Sequence, residues 1–128
     1  MGIVKNMAKE MIKEIGNKSR EFYEFVLPPV DMYLEDDSLT VIIDLPGFEK
    51  KDIKLSIHRN ILSINAHKPE AKTEGIVCKQ RPDIIDKKII LPIHVKEGEE
   101  SVSSAKFAQG VLTIKIPHVK KEKQISIE

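Results

Sequence analysis

The sequence predicts an all-β domain, an antiparallel sandwich or barrel, preceded by a helical arm and followed by a short extended tail. Three observations carry this reading. Between residues 30 and 117, apolar residues recur in short runs of period two, separated by Gly, Pro, Asp and Asn turn signals. No helical period interrupts that series, which argues against crossover helices and parallel strands. Before Pro28-Pro29 the period is different, with apolar residues at steps of three and four.

The arm comes first. Val4, Met7, Met11 and Ile15 form an apolar stripe, broadened by Ile3 and Ile12. Lys5, Lys9, Glu10, Lys13 and Glu14 fill the other side, as an amphipathic helix requires. Gly16-Asn17 is a plausible stop for that helix. Phe22, Phe25 and Val26 add apolar surface before the double proline ends any helix. Such a stripe serves either as a face packed on its own domain or as an arm docking on other chains. Methionine favours the second, because its flexible side chain suits adaptable surfaces.

The strands follow in order. Val30 to Leu34 alternates, and Asp36-Asp37-Ser38 turns the chain into a β-rich run from Leu39 to Leu45. Pro46-Gly47 is the next turn. Ile53, Leu55 and Ile57 alternate with Lys54, Ser56 and His58 as a half-buried strand. Arg59-Asn60 fits a tight connection to a strand over Ile61 to Ala66. Residues 68–75 are polar, contain Pro69 and read as a loop. Ile76 to Arg81 and Lys88 to Leu91 are short candidate strands. Ser101 to Ala108 and Val111 to Ile116 make a last pair joined through Gln109-Gly110, closed by Pro117. The tail from His118 to Gln124 is polar and basic, and Ile125-Ser126-Ile127 restores apolar character. The boundaries are therefore residues 1–29, 30–117 and 118–128.

Composition narrows function. The 128 residues suit one domain. Lysine and arginine number 21 against 20 acids, for a net charge of +1. That balance argues against a chain built to neutralise phosphates or to sit on an anionic membrane. Isoleucine is the extreme, at 19 residues, more than a single small core needs. Cys78 is the only cysteine, so no internal disulfide forms and a reducing, cytoplasmic setting is expected. The longest apolar runs fall far short of the roughly 20 residues a membrane helix requires.

Catalytic chemistry is not expected. The histidines, His58, His67, His94 and His118, never pair at helical spacing. A second thiolate for zinc is missing, and no phosphate-binding loop or nucleophile elbow occurs. A lone cysteine in a β segment is usually a small hydrophobe. The residues point to no metal, cofactor or enzyme mechanism.

Two segments resemble the small heat-shock protein (α-crystallin) family. Ala105 to Pro117 is similar to that family's signature, an Ala followed by Gly110-Val111-Leu112 and a strand ending in Pro. Val41 to Phe48, with Asp44-Leu45-Pro46-Gly47, resembles its Asp-Leu-Pro-Gly turn; Ile90-Leu91-Pro92 sits where its Leu-Pro falls, and Ile125-Ser126-Ile127 resembles its Ile-x-Ile tail. Gln109 stands where the family usually has Asn or Asp. Lys87 stands at its usual Arg upstream of Leu-Pro, and lysine gives no bidentate fork.

The resemblance implies an immunoglobulin-like antiparallel β-sandwich, the α-crystallin domain. It implies an ATP-independent holdase that binds unfolding client proteins and forms large homo-oligomers from dimers. It implies strand exchange in which Ile76, Val77, Cys78 and Lys79 pair with Val30, Met32 and Leu34 of a partner. The tail's Ile125 and Ile127 would dock in a groove between Ile53, Leu55 and Ile57 on one strand and Val102 and Ser104 on another. Clients would bind the arm, at Ile3, Val4, Met7, Met11, Ile12, Ile15, Phe22 and Phe25. The competing reading is a monomeric sandwich of the CS co-chaperone type, which needs neither tail nor assembly.

Overall fold

Alternation along the chain builds two facing sheets. In the computed structural model, which describes residues 2–69, 74–99, 103–118 and 126–127, one sheet runs in the order β1 (Val30–Leu34), β2 (Ser38–Asp44), β7 (Val111–Pro117), β6 (Ser104–Ala108). The other runs β3 (Ile53–His58), β4 (Ile61–His67), β5 (Ile84–Ile90). Every pairing is antiparallel. Side chains two apart point the same way, so Leu39, Val41 and Ile43 of β2 and Leu112, Ile114 and Ile116 of β7 form one buried layer. Leu62, Ile64 and Ala66 of β4, with Ile85 and Ile89 of β5, form the facing one. The register sets Val41 opposite Ile114 and Leu39 opposite Ile116, so a one-residue slip would turn these side chains out to water.

Turn chemistry fixes the hairpins. Gln109 and Gly110 both have positive φ, 52° and 76°, as a two-residue turn between twisted strands requires. Glutamine tolerates that region less well than the Asn or Asp of the family pattern, which accept it more readily. A Cβ on Gly110 would lie 3.2 Å from Pro46 Cα, and the Leu45 amide donates to the Gly110 carbonyl at 2.7 Å. The two segments that carry the family resemblance therefore touch each other. Arg59, with φ of 56°, turns β3 into β4, and its carbonyl accepts from the Val95 amide at 3.0 Å.

Three expectations change. The N-terminal helix, α1 (Gly2–Val26), does not stop at Gly16-Asn17 but runs through both. Gly16 is needed for close approach instead of termination. β5 begins at Ile84, four residues before the expected Lys88, because Ile85 and Ile89 are core residues and Lys87 between them interrupts the apolar alternation. Residues 76–81 form no strand within the chain. Each sheet is complete without them, and an isolated strand cannot satisfy its backbone groups alone.

Candidate functional site

The arm meets the domain with its polar face. Gly16 is buried, Asn17, Arg20 and Glu24 are half-buried, and they lie on one side of α1 at helical spacing. A Cβ on Gly16 would lie 2.9 Å from Cys78 Sγ and 2.9 Å from the Lys79 backbone nitrogen. No other residue allows the helix this close to the 76–79 segment. Polar contacts continue toward the C-terminal end of α1. Arg20 Nε lies 3.6 Å from Glu24 Oε1, which accepts from the Asp83 amide at 3.4 Å. Lys79 Nζ pairs with Asp83 at 2.7 Å. Lys87 Nζ donates to the Val26 carbonyl at 2.9 Å, placing a cation at the negative end of the helix. The residue standing in for the family's usual arginine thus holds the arm in this chain.

This joint is weak by construction. The two ion pairs lie within α1 and within residues 79–83, so the polar contacts that cross the joint are hydrogen bonds, from the Asp83 amide to Glu24 and from Lys87 to the Val26 carbonyl, each worth about 0.5–3 kcal/mol. A gap of about 200 Å³ remains between Lys13, Asn17 and Arg20 on one side and residues 76–79 on the other. Gly16→Leu should unseat the helix, since the Lys79 nitrogen and the Cys78 Cα, at 2.9 and 3.3 Å from a Cβ there, are backbone atoms that cannot turn aside. Limited proteolysis should then cut the arm at least several-fold faster while the sandwich stays intact. An unchanged cleavage rate would contradict the docking.

The opposite face is the apolar one, and it is open. Met7, Met11, Ile12 and Ile15 are exposed, as are Phe22 and Phe25, the last at 82%. The side chains of Ile3 and Val4 lie outside the described residues. A shallow hollow borders the stripe at Met7 and Met11, lined otherwise by the polar flank of Asn6, Glu10, Lys13, Glu14 and Asn17. From Gly16 onward the helix covers its polar side and presents its apolar side, inverted relative to one that belongs to its own core, while residues 6–15 are exposed all round. Neither reading of the stripe anticipated a docked helix with the stripe turned outward.

A second open surface is the outer edge of β1. Among the described residues this strand pairs only with β2. Met32, Tyr33 and Leu34 are exposed, while Val30 is half-buried. An unpaired apolar edge is a template for another strand. On the far side of the chain, Ile76 is half-buried, Val77 and Cys78 are exposed, and α1 rests on them. The two segments expected to exchange between subunits are thus both reachable, one of them under the arm.

A hollow lies where the tail's anchor groove is expected. Leu55 and Ile57 of β3 and Ser104 of β6 line a hollow of about 320 Å³, floored by Leu62 and Ile114. Ile53 lies on the same face of β3 and packs on the core. Val102 falls outside the described residues. The groove lies between the edge strands of the two sheets. Ser103 Oγ, which the sequence did not single out, is buried there with no hydrogen-bond partner among the described residues. An unsatisfied buried hydroxyl costs about 1–3 kcal/mol, which an incoming backbone group would relieve. In the tail, Ile125 lies outside the described residues, and Ile127 is 98% exposed.

Comparison with known proteins agrees with this architecture. The Hsp20/alpha crystallin family model matches residues 31–128. The chain is 43% identical to a point mutant of hsp14.1 from Sulfolobus solfatataricus P2, over 77% of this chain and 84% of that one, with a TM-score of 0.70. A small heat-shock protein from Xylella fastidiosa, described as having a distinct high order structure, superimposes with a TM-score of 0.60 at 25% identity, covering 80% and 94% of the two chains. Small heat shock protein C2 of Rickettsia felis is 28% identical over 121 residues, 84% of this chain and 77% of that protein. Among the described residues no helix is long and apolar enough to cross a membrane.

Proposed function

Because the chain belongs to the Hsp20/alpha crystallin family of stress-response chaperones, we propose that it is an ATP-independent holdase, built from a client-binding arm (1–29), a sandwich (30–117) and an anchoring tail (118–128). The observation that carries this reading is the inverted helix. Its apolar stripe faces solvent while its polar side grips the domain. Such a surface captures unfolding chains by burying their exposed apolar side chains, at about 25 cal/mol per Å² removed from water. No nucleotide, metal or covalent step is required.

Assembly follows from the other two surfaces. The β1 edge of one subunit receives residues 76–79 of a second, covering the open edge of the four-stranded sheet in each subunit. Because α1 rests on 76–79, lifting the arm and exchanging strands are coupled events. The tail then joins dimers, with Ile125 and Ile127 entering the groove between β3 and β6 of a neighbour. The half-buried Leu55 and Ile57 and the Ser103 hydroxyl, which has no hydrogen-bond partner among the described residues, support that placement.

Site-specific crosslinking tests the client face. A photoreactive residue at Phe22 should crosslink to a heat-unfolding client without nucleotide. The same residue at Glu24, on the docked side, should give at least five-fold less. Equal yields from the two positions would contradict the assignment.

A further inference from the structure

A separate cleft lies beyond the C-terminal end of α1, where the arm joins β1. Its walls are apolar, formed by Leu27, Leu45, Phe48, Pro82 and Ile85, and its volume is about 290 Å³. Three charged residues also line it, Lys68, Arg81 and Asp44. The two cations converge. A Cβ built on Gly47 would lie 2.5 Å from Arg81 Nη2 and 3.0 Å from Lys68 Nζ, so both heads stand within 3.0 Å of one point above the glycine. The absence of a side chain at residue 47 is what leaves room for them.

Neither cation has an acid of its own. Among the described residues the side chains of Lys68 and Arg81 form no ion pair. Asp83 attracts Lys68, but Lys79 already holds that carboxylate at 2.7 Å. Asp44, at the end of β2, is exposed to solvent. Lys68 rests instead on the Phe48 ring, 4.5 Å from its centroid. Desolvation, and then the neighbouring Arg81, hold the Lys68 ammonium below its usual range. Among the described residues, two cations without an ion-paired acid stand at the mouth of an apolar hollow, a setting that favours an anion.

We propose that this cleft binds a carboxylate carried beside an apolar side chain, as in an Asp or Glu flanked by aliphatic or aromatic residues of an unfolded client segment. Size favours a peptide over a free small molecule. The volume falls at the lower end of small-ligand pockets and suits one or two side chains. Position favours it too: the cleft opens where the arm ends, with Leu27 directly after the last turn of α1, so a segment held by the arm has its next contact within reach. The arm would supply apolar affinity, and Lys68 with Arg81 a preference for acidic neighbours. This rests on the holdase reading and adds a selectivity to it.

The test compares two dansylated peptides, Gly-Phe-Glu-Leu-Ser amide and its Gln isostere, by fluorescence anisotropy against the full chain. The Glu peptide should bind about ten-fold more tightly at low salt, the range expected for charge-assisted hydrogen bonds at a partly exposed site. The double variant Lys68→Gln, Arg81→Gln should lose that preference and leave the Gln peptide's affinity unchanged. Each single variant should lose part of it, which keeps the result readable if the double variant folds poorly. Equal binding of the two peptides by the wild-type chain overturns the proposal, as does a preference that survives both substitutions. Displacement of the peptide by 3-phenylpropionate at concentrations below those of the peptide itself assigns the cleft to a small molecule. A changed native mass in the double variant assigns it to a second copy; either outcome also overturns the peptide assignment. Suppression of client turbidity, measured on the same samples, separates the two levels. Intact suppression without Glu preference removes the cleft alone, whereas no suppression and no binding of either peptide removes the holdase reading beneath it.

Discussion

A chain carrying Ile125→Ala and Ile127→Ala should lose its large particle and elute at the mass of a dimer. Burying an isoleucine side chain contributes about 1.5–3 kcal/mol before ordering costs. Two per tail is modest, but a closed particle holds every subunit by several such contacts, and their linkage multiplies the effect. In an extended tail residues two apart point the same way, so Ile125 and Ile127 would both enter one groove. From Pro117 the eight residues to Ile125 reach about 28 Å, at roughly 3.5 Å each, enough to cross to a neighbour. Ile127 is 98% exposed in the single chain, so its loss leaves the sandwich untouched. Light scattering reads the mass, and circular dichroism checks the fold. An unchanged particle would remove the tail from the assembly, and a wild-type monomer would favour the CS-type reading instead.

Phe22→Asp combined with Phe25→Asp should abolish client protection while leaving the fold intact. These rings are 60% and 82% exposed, so neither supports the core. Each ring buried against a client contributes about 1.5–3 kcal/mol, and a carboxylate in its place adds a desolvation cost. The amount of variant needed to suppress aggregation should rise at least ten-fold, since every 1.4 kcal/mol is about a factor of ten. Lys9→Asp, on the same helix but outside the apolar stripe, should change protection by no more than about two-fold. Loss of protection in both variants would mean that charge, and not the stripe, governs capture.

Most of the sandwich was legible because its signals are local. Leu62 and Ile64, or Leu112, Ile114 and Ile116, alternate cleanly and are all buried. The hairpin at Gln109-Gly110 was marked by its glycine. β5 was half-read because Lys87 sits on the inward-alternating positions and turns its ammonium to a helix end that no pattern in β5 reveals. Gly16 misled for a related reason. A glycine near a helix end and a glycine that admits a neighbouring backbone look alike until the neighbour, Cys78, is in place.

The functional surfaces were unequally readable. The stripe of Met7, Met11 and Ile15 was plain from periodicity, but which way it points depends on contacts between residues about 60 positions apart, such as Glu24 with Asp83. Long-range polar pairs of that kind leave no periodic trace. The groove residues Leu55, Ile57 and Ser104 were placed through the family resemblance, and β3 alternation alone gave only their common face. Ser103 and the convergence of Lys68 and Arg81 over Gly47 had no sequence signal, because the loop and the turn that bring them together are set by the tertiary fold.

The central claim is that capture on the exposed face of the arm needs no energy source. Turbidity of a heat-labile client enzyme, followed at its aggregation temperature with an equal number of subunits of this chain and no nucleotide present, tests it most directly. The expected result is near-complete suppression, unaltered by adding ATP and magnesium. Turbidity that rises as it does without the protein, or that falls only when ATP is supplied, would contradict it.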